Sequence, residues 1–513
     1  MIRAHHGAAE IVMISQERLD RAKDSRAFPA QAIAACMAEL GVGSERDIDL
    51  IVLDYIRSAD WRRDQYRVPA VQGTLLDNVD PRRIHVINHH LAHAAAVFFS
   101  SGMPDAAILI VDGRGSENET QSLFVAEGTE IQLIARTDRI GIGLLYAAVT
   151  QAIGFGLLQE GKTMGLAPYG ADVPGPILEL RGFYDEIVTD YSHICLDDSY
   201  SLRRPIKLEC FSEKARAAYD VQEECERALL HLTAFAHAKT RKPRLCLSGG
   251  VALNSVANFL IAKQGLFDEI FINPAASDTG IPLGAALYGY HAIAGRERLS
   301  QALSPFIGPR YSAGAIADAV QLAASSCRIE HTNTLETCAD MLAANRIVGH
   351  FHGRSEMGPR ALGNRSILMS PLVAENKDVL NARVKHREPF RPFAPACLAE
   401  CASTFFEIDF LSNYMLFVPP VRPEKRGIIP AVTHCDGSGR LQTVRESDNP
   451  RFHRLITLFN ERTGVPVLLN TSFNDNGEPI VETPADAVRC FLGTEIDALL
   501  LEDILLVKNK KTG

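Results

Sequence analysis

Short apolar runs alternate with amphipathic stretches along this chain, a pattern that predicts an α/β protein. Glu10 to Ser15 reads as a strand, followed by a charged stretch from Gln16 to Arg26. An amphipathic helix from Phe28 to Leu40 and a buried strand from Asp49 to Tyr55 come next. Ile84 to Ile87 is a further apolar run that leads into good helix formers, Ala92 to Phe99, and Ala106 to Val111 is strand-like again. Ser122 to Ala126 and Ile131 to Ala135 flank Glu127-Gly128 as the arms of a hairpin. Gly141 to Phe155 is an apolar helix. A strand, a glycine turn and a helix then follow one another twice. The first unit runs from Arg244 through Ser248-Gly249-Gly250 to a helix over Val251 to Ala262. The second runs from Asp268 to Asn273 through Ser277-Asp278-Thr279-Gly280 to a helix over Pro282 to Ala294. Gly295 to Ser312 carries prolines and glycines without a period, which predicts a boundary between domains 1–310 and 311–513. The second domain opens on a helix, Ala315 to Ala324, and a strand, Arg346 to His350.

At 513 residues the chain exceeds what one core serves, so two or three domains are expected. Its 46% hydrophobic and 22% charged residues are those of an ordinary globular protein. A formal charge of −9 argues against a nonspecific nucleic-acid binder. Eleven cysteines without a CxxC pair give neither a disulfide framework nor a zinc ribbon, and a reducing cytoplasm is the simplest reading. No apolar run reaches membrane-spanning length and no signal-peptide core is present, so no membrane partner is expected.

The chemistry starts at His89-His90-Leu91-Ala92-His93. One helical turn separates His89 from His93, so both imidazoles reach one cation. The strand ending at Val111 delivers Asp112 into a Gly-rich turn, and Asp278 sits where a strand end meets a helix start. Two imidazoles and two carboxylates suit iron or zinc better than calcium. The structural alternative is a surface histidine pair and an aspartate that caps a helix. Gly249 and Gly250 form a corner at which backbone N–H groups and a helix dipole favour phosphate; a plain turn is the alternative. Lys162, in a Gly-Lys-Thr-Met-Gly loop, is an anion-ligand candidate. The letters from Gly156 to Thr163 spell a P-loop, but a helical run precedes them and the match is taken as chance. The polar stretch Arg57 to Arg67, which holds Trp61, reads as a solvated loop with a substrate-side loop as the alternative. Further on, Gly353 to Arg365 and the cations Arg383, Lys385, Arg387 and Arg391, set among Phe390, Phe393 and prolines, predict a fixed anion-binding loop. Leu469 to Ile480 ends a strand in small polar groups able to meet a sugar or phosphate.

Eight blocks in one order carry a family resemblance: His89 to Ala94, Asp112-Gly113, GKTMGLA, SGGVALN, SDTG, GPRALGNRS, RVKHREPFRPFAP and LNTSFNDNGEP. Together they resemble the O-carbamoyltransferases of antibiotic and nodulation-factor biosynthesis, from about residue 10 to residue 508. The resemblance implies an actin/sugar-kinase-like N-terminal domain and a YrdC-like α/β C-terminal domain. The latter would make carbamoyl-adenylate from ATP (with magnesium) and carbamoyl phosphate. The former would move the carbamoyl group to the hydroxyl of a small natural-product acceptor. It further implies His89, His93, Asp112 and Asp278 as ligands of iron(II) or another divalent metal. Lys162, Gly249, Gly250 and Asn254 would face the adenylate. Arg360, Lys385, Arg391, Arg440, Ser472 and Asn474 would face carbamoyl phosphate and ATP. A homodimer is expected from the resemblance alone.

The N-terminus departs from the family. The chain runs from Met1 almost directly into Glu10, so the first strand is expected to be missing or shortened and a hairpin deleted. His6 aligns with the family's acceptor-activating base, with Gly7 where an aspartate often follows. Competing readings are a sugar kinase, which needs neither the histidine pair nor a second arginine-rich domain, and a tRNA-directed threonylcarbamoyl-adenylate enzyme, for which more basic surface is expected. A nucleotide-binding protein without turnover would bind ligand only. The hydrogenase-maturation carbamoyltransferase would carry zinc-finger cysteines that have no counterpart here.

Overall fold

The computed structural model describes residues 1–5, 8–55, 79–196 and 200–509. His6 and the Arg57 to Arg67 stretch lie outside them. The described chain forms two compact units, Met1–Ile11 with Gly41–Leu303, and Val12–Leu40 with Ser304–Gly513. Residues 12–40 thus pack with the C-terminal half, which their place in the sequence did not suggest. All eleven cysteines are free thiols. No described helix is long and apolar enough to cross a membrane.

The first unit is built on a five-stranded sheet in the order Glu269–Ile272, Arg244–Ser248, Asp105–Val111, Gln121–Glu127, Glu130–Thr137. Arg244–Ser248 runs parallel to both neighbours, and the hairpin strands are antiparallel. A separate parallel pair joins Ile51–Tyr55 to Ile84–Asn88. The helix His89–Ser101 follows that second strand at once. Asn88 caps it by accepting the Leu91 N–H at 3.1 Å. Twelve of its thirteen residues are buried. The helix Ile281–Tyr288 crosses it so closely that a Cβ on Gly284 would lie 1.9 Å from the Ala92 carbonyl oxygen. Small residues at this crossing let the SDTG turn, just ahead of Gly284, approach the two histidines.

Several local expectations are adjusted. Of the two expectations for the first strand, missing or shortened, the structure has the shortened one: the four-residue Ile2–His5 pairs antiparallel with Ala8–Ile11. The Lys162 segment is helix, Glu160–Leu166, rather than loop. The helix after the glycine corner begins with a short 3-10 turn and runs as α-helix only over Ser255–Lys263.

The second unit has an eight-stranded mixed sheet. Its order is Cys327–Glu330, Ile504–Lys508, Ala498–Leu501, Val348–Phe351, Arg365–Met369, Val467–Ser472, Ala394–Leu398, Gln442–Val444. The amphipathic helices Thr334–Ala343 and Pro450–Thr463 pack together and cover part of it. Leu342, Phe452, Leu455, Ile456 and Phe459 join Leu468, Ala498 and Leu500 of the strands in one core. Each large side chain buried there contributes about 1.5–3 kcal/mol. That core holds the central strands rigid, and the loops at their ends carry the arginines described below.

Candidate metal centre and anion pocket

In the first unit four side chains converge. His89 Nε2 and His93 Nε2 lie 3.3 and 3.2 Å from Asp112 Oδ2, and each lies 3.5 Å from Asp278 Oδ1. One donor atom from each of the four falls within 4.8 Å of every other. The histidines and Asp112 are buried, whereas Asp278 is exposed and closes the group from its open side. Each ligand is aimed by a further bond. Asp112 Oδ1 accepts the N–H groups of Gly113 and Gly250 at 2.8 and 2.9 Å, which turns Oδ2 toward the imidazoles. His93 Nδ1 meets the Ser248 hydroxyl at 3.3 Å. His89 Nδ1 lies 2.8 Å from Asp54 Oδ2.

Electrostatics distinguishes these histidines from their neighbour His90, which is equally buried. Burial first, and then the charges of His93 and His89, push His90 down to about 3, and it remains neutral on the Ser122 hydroxyl. For His89 burial acts in the same direction, but the carboxylates of Asp112, Asp278 and Asp54 outweigh it and hold the ring up at about 12. Asp112 is held well below the carboxylate range, its burial outweighed by the two imidazoles. Such a charge-dense group can exchange its protons for a cation. The spacing fits one: metal–ligand bonds of about 2.0–2.2 Å put adjacent donors roughly 3.0–3.4 Å apart, and the four histidine–carboxylate distances are 3.2–3.5 Å. Two neutral imidazoles with two carboxylates carry a charge of −2, matched to a divalent ion of borderline softness.

Asp54 is a functional candidate that sequence reasoning missed. It stands one residue from the end of a strand whose parallel partner runs into His89, and a carboxylate at a strand end was the available signal. Asp54→Asn is expected to weaken divalent-metal binding about 10- to 100-fold, as loss of a carboxylate behind a metal-bound histidine does elsewhere. Calorimetric titration with iron(II) or zinc checks this.

The glycine corner differs from expectation. Gly249 adopts φ +94°, and a Cβ there would lie 2.2 Å from the Val111 carbonyl oxygen, so only glycine lets these strands meet so closely. Its N–H donates to Ala276 O at 2.9 Å, and that of Gly250 is spent on Asp112. Neither amide is left to cradle a phosphate, and the corner instead supports the carboxylate. Asn254 likewise caps its helix through the Ala257 N–H and exchanges two hydrogen bonds with Gln222, so its amide is engaged inside the fold rather than offered to a ribose or base. Lys162 lies with Nζ 5.5 Å from the Phe155 ring centre.

In the second unit the structure brings together Arg360, Arg387, Arg391 and Arg440. Their charges are close enough that Arg440 is held well below its usual range, by burial first and then by the other three. Burial and Arg391 lower Arg360 and Arg387 in the same way. Because a guanidinium does not give up its proton near neutrality, these shifts express crowding of like charges. Among the described residues Arg360 and Arg440 make no side-chain hydrogen bond or ion pair, and their buried Nε atoms stay unpartnered. Arg391 has Glu388 at 3.7 Å, and Arg387 stacks 4.2 Å from the Phe393 ring centre. Lys385 is buried, and burial with Arg387 pushes it down to about 7. Its Nζ donates to Ser472 O, Asn474 O and Asn474 Oδ1 at 3.0, 2.9 and 2.6 Å, and the Ser472 hydroxyl donates to the same Oδ1 at 2.6 Å. So many half-buried cations with so few carboxylates make a pocket that lacks its counter-charge, which a polyanion supplies. Arg387 belongs to this group more closely than Arg383, which is bound to Glu495 and Asp497 and is structural.

Comparison with known proteins follows the same division. Residues 54–287 match the family described as Carbamoyltransferase N-terminus, and residues 339–508 the one described as Carbamoyltransferase C-terminus. The chain is 38% identical over 544 residues to Nodulation protein NolNO of Sinorhizobium fredii, an alignment covering 98% of this chain and 79% of that one. It is 33% identical over 574 residues to an uncharacterized protein of Synechocystis, with 97% and 93% covered. Over 244 residues it is 40% identical to the 3'-hydroxymethylcephem-O-carbamoyltransferase of Amycolatopsis lactamdurans, with 48% and 45% covered.

Proposed function

Because this chain belongs to the carbamoyltransferase family, we propose that it is an ATP-dependent O-carbamoyltransferase working in two steps. In the second unit carbamoyl phosphate gives up its phosphate to water. The resulting carbamate oxygen attacks the α-phosphorus of ATP, forms a C–O–P link and expels pyrophosphate. In the first unit the hydroxyl oxygen of a small acceptor attacks the carbamoyl carbon, AMP leaves with the bridging oxygen, and the hydroxyl proton passes to a base. The pocket of arginines without counter-charge is the observation that carries this reading. Its guanidinium groups match the equatorial oxygens of a phosphoryl group in transfer, where preformed positive charge does most of the work. Lys385, its Nζ held on Ser472 and Asn474, stands beside them as a further cation.

His89, His93, Asp112 and Asp278 would hold iron(II). A bound divalent ion supplies Lewis acidity, which polarises a carbonyl or neutralises phosphate charge. The protein's own part in the first unit is to aim those four side chains through Asp54, Ser248, Gly113 and Gly250. His6 is the residue proposed to take the acceptor proton. Relatives named for nodulation and for cephem carbamoylation support a small hydroxyl-bearing natural product as acceptor.

The test is pyrophosphate release from ATP and carbamoyl phosphate with no acceptor present. Release that needs both substrates is the expected result. Its absence, with and without added iron(II), overturns the carbamoyl-adenylate route.

A further inference from the structure

Residues 12–40, although near the start of the chain, belong to the second unit, and their contacts there are specific. Met13 N donates to Ile307 O at 3.0 Å, and Glu39 accepts from the Arg310 N–H and the Arg354 guanidinium at 3.1 and 2.6 Å. Between these anchors lies the short helix Gln16–Asp20, which turns out through Arg21 at φ +60°. Two arginines project from it. Arg18, only 4% exposed, lies 3.5 Å from the fully buried Glu482 and donates to Gly358 O at 2.9 Å. Arg21 forks onto three consecutive residues, donating to Ile480 O at 2.7 Å, Pro479 O at 2.8 Å and the Glu478 carboxylate at 3.3 Å.

Both targets adjoin the anion pocket. Gly358 is two residues before Arg360, with φ +82°, so its carbonyl orientation sets the course of the chain into that arginine. The 478–480 segment is tied to Lys385 by two bonds in series. Asn474 Nδ2 donates to Glu478 O at 2.7 Å, and Asn474 Oδ1 accepts from Lys385 Nζ at 2.6 Å. Glu482 adds a third tie, since its Oε1 accepts at 2.9 Å from the hydroxyl of Ser355, on the segment that leads to Gly358, and at 3.2 Å from that of Tyr311. Sequence-remote guanidinium groups therefore grip the loop that leads into Arg360 and the segment next to Asn474, on which Lys385 is anchored; three of these contacts are to backbone carbonyls and two to the Glu482 and Glu478 carboxylates.

We propose that residues 12–40 form a strap whose Arg18 and Arg21 are positioning residues: Arg18 sets Arg360 and Arg21 sets Lys385 for polyphosphate binding. The role assigned to that pocket rests on the two-step reading above; the strap itself needs only that the pocket takes a polyanion. Cations lose their shared geometry when the segments that anchor them relax by an ångström, and a displacement of that size weakens binding and rate by one or two orders of magnitude.

The full-length chain is titrated calorimetrically with inorganic pyrophosphate, with Arg360→Ala as the blank and thermal unfolding alongside. Arg21 is the informative position, because it is partly exposed and caps no buried charge, whereas Arg18→Gln strips Glu482 of a partner and tests folding as well. Arg21→Gln is expected to weaken pyrophosphate about tenfold and to raise KM for carbamoyl phosphate with a smaller change in kcat, while the unfolding midpoint stays within about 2 °C. Arg21→Lys, which keeps a donor for one of the carbonyls, recovers part of the affinity. Unchanged affinity in Arg21→Gln overturns the strap. So does a loss that merely follows the folded fraction with KM unaltered, and so does a wild-type chain that binds no pyrophosphate. A wild-type chain that binds pyrophosphate but releases none from ATP and carbamoyl phosphate overturns the two-step reading and leaves the strap to be decided by the titration.

Discussion

Arg360→Ala is expected to lower pyrophosphate formation from ATP and carbamoyl phosphate by at least about a thousandfold, the scale on which a single arginine acts on a phosphoryl group in transfer. Arg360 is marked by what it does not do within the protein. It closes no ion pair and no hydrogen bond among the described residues, and burial with Arg391 pulls it below its usual range. Its charge is therefore a cost to the fold that a polyanion offsets. Removing it relieves repulsion with Arg391 and Arg440, so the ligand-free variant should unfold at or slightly above the wild-type temperature. A loss of rate together with unimpaired stability is what a binding cation predicts. An arginine that served packing would show the reverse, with lower stability and a modest loss of rate. A variant that keeps more than about a tenth of the wild-type rate would mean that phosphate charge develops elsewhere in the protein. Arg383→Ala is the matching control, because that side chain is spent on Glu495 and Asp497 and should leave the rate almost unchanged.

Much of this architecture was legible in the sequence wherever spacing alone fixed the geometry. His89 and His93 lie one turn apart, and any helix over them brings both rings to one side. Asp112 and Asp278 follow strands of the same sheet, or the turn beyond one, and so arrive at one end of it. The unread features have partners that are distant in sequence. Asp54 reaches His89 because Ile51–Tyr55 and Ile84–Asn88 pair in parallel, a register that no local pattern encodes. Arg383 looks like its neighbours Lys385 and Arg387, and only Glu495 and Asp497, more than a hundred residues on, make it structural. Residues 12–40 gave a correct amphipathic helix, here Ala30–Glu39, with no sign of which core it covers. The glycine corner misled for a different reason. Glycines next to a helix start allow a phosphate to approach, but they equally allow a carboxylate to take the same amides, and the choice depends on Asp112 from another strand.

That choice makes Asp112→Asn the sharpest probe of the first unit. An asparagine fits the same space and can keep its carbonyl oxygen on the Gly113 and Gly250 amides, so the local backbone should hold. Its other atom then becomes an NH2 group facing His89 Nε2 and His93 Nε2, where the carboxylate oxygen stood at 3.3 and 3.2 Å. Two consequences follow. A neutral donor cannot ligate a cation, and the ligand set falls from charge −2 to −1, so divalent-metal affinity should drop by several orders of magnitude. The imidazoles also lose the strongest of the partners that keep His89 high, and with burial opposed only by Asp278 and Asp54 its pKa should fall from about 12, visible in the proton spectrum of the metal-free protein. Carbamoyl transfer to an acceptor should fall at least about a thousandfold, while pyrophosphate release without acceptor continues at the wild-type rate. If both activities vanish together in a variant that remains folded, the metal-type cluster and the arginine pocket do not serve separate steps. If transfer survives in metal-free Asp112→Asn, the cluster is a structural ion pair, and its four convergent side chains stabilise the first unit rather than act on the carbamoyl group.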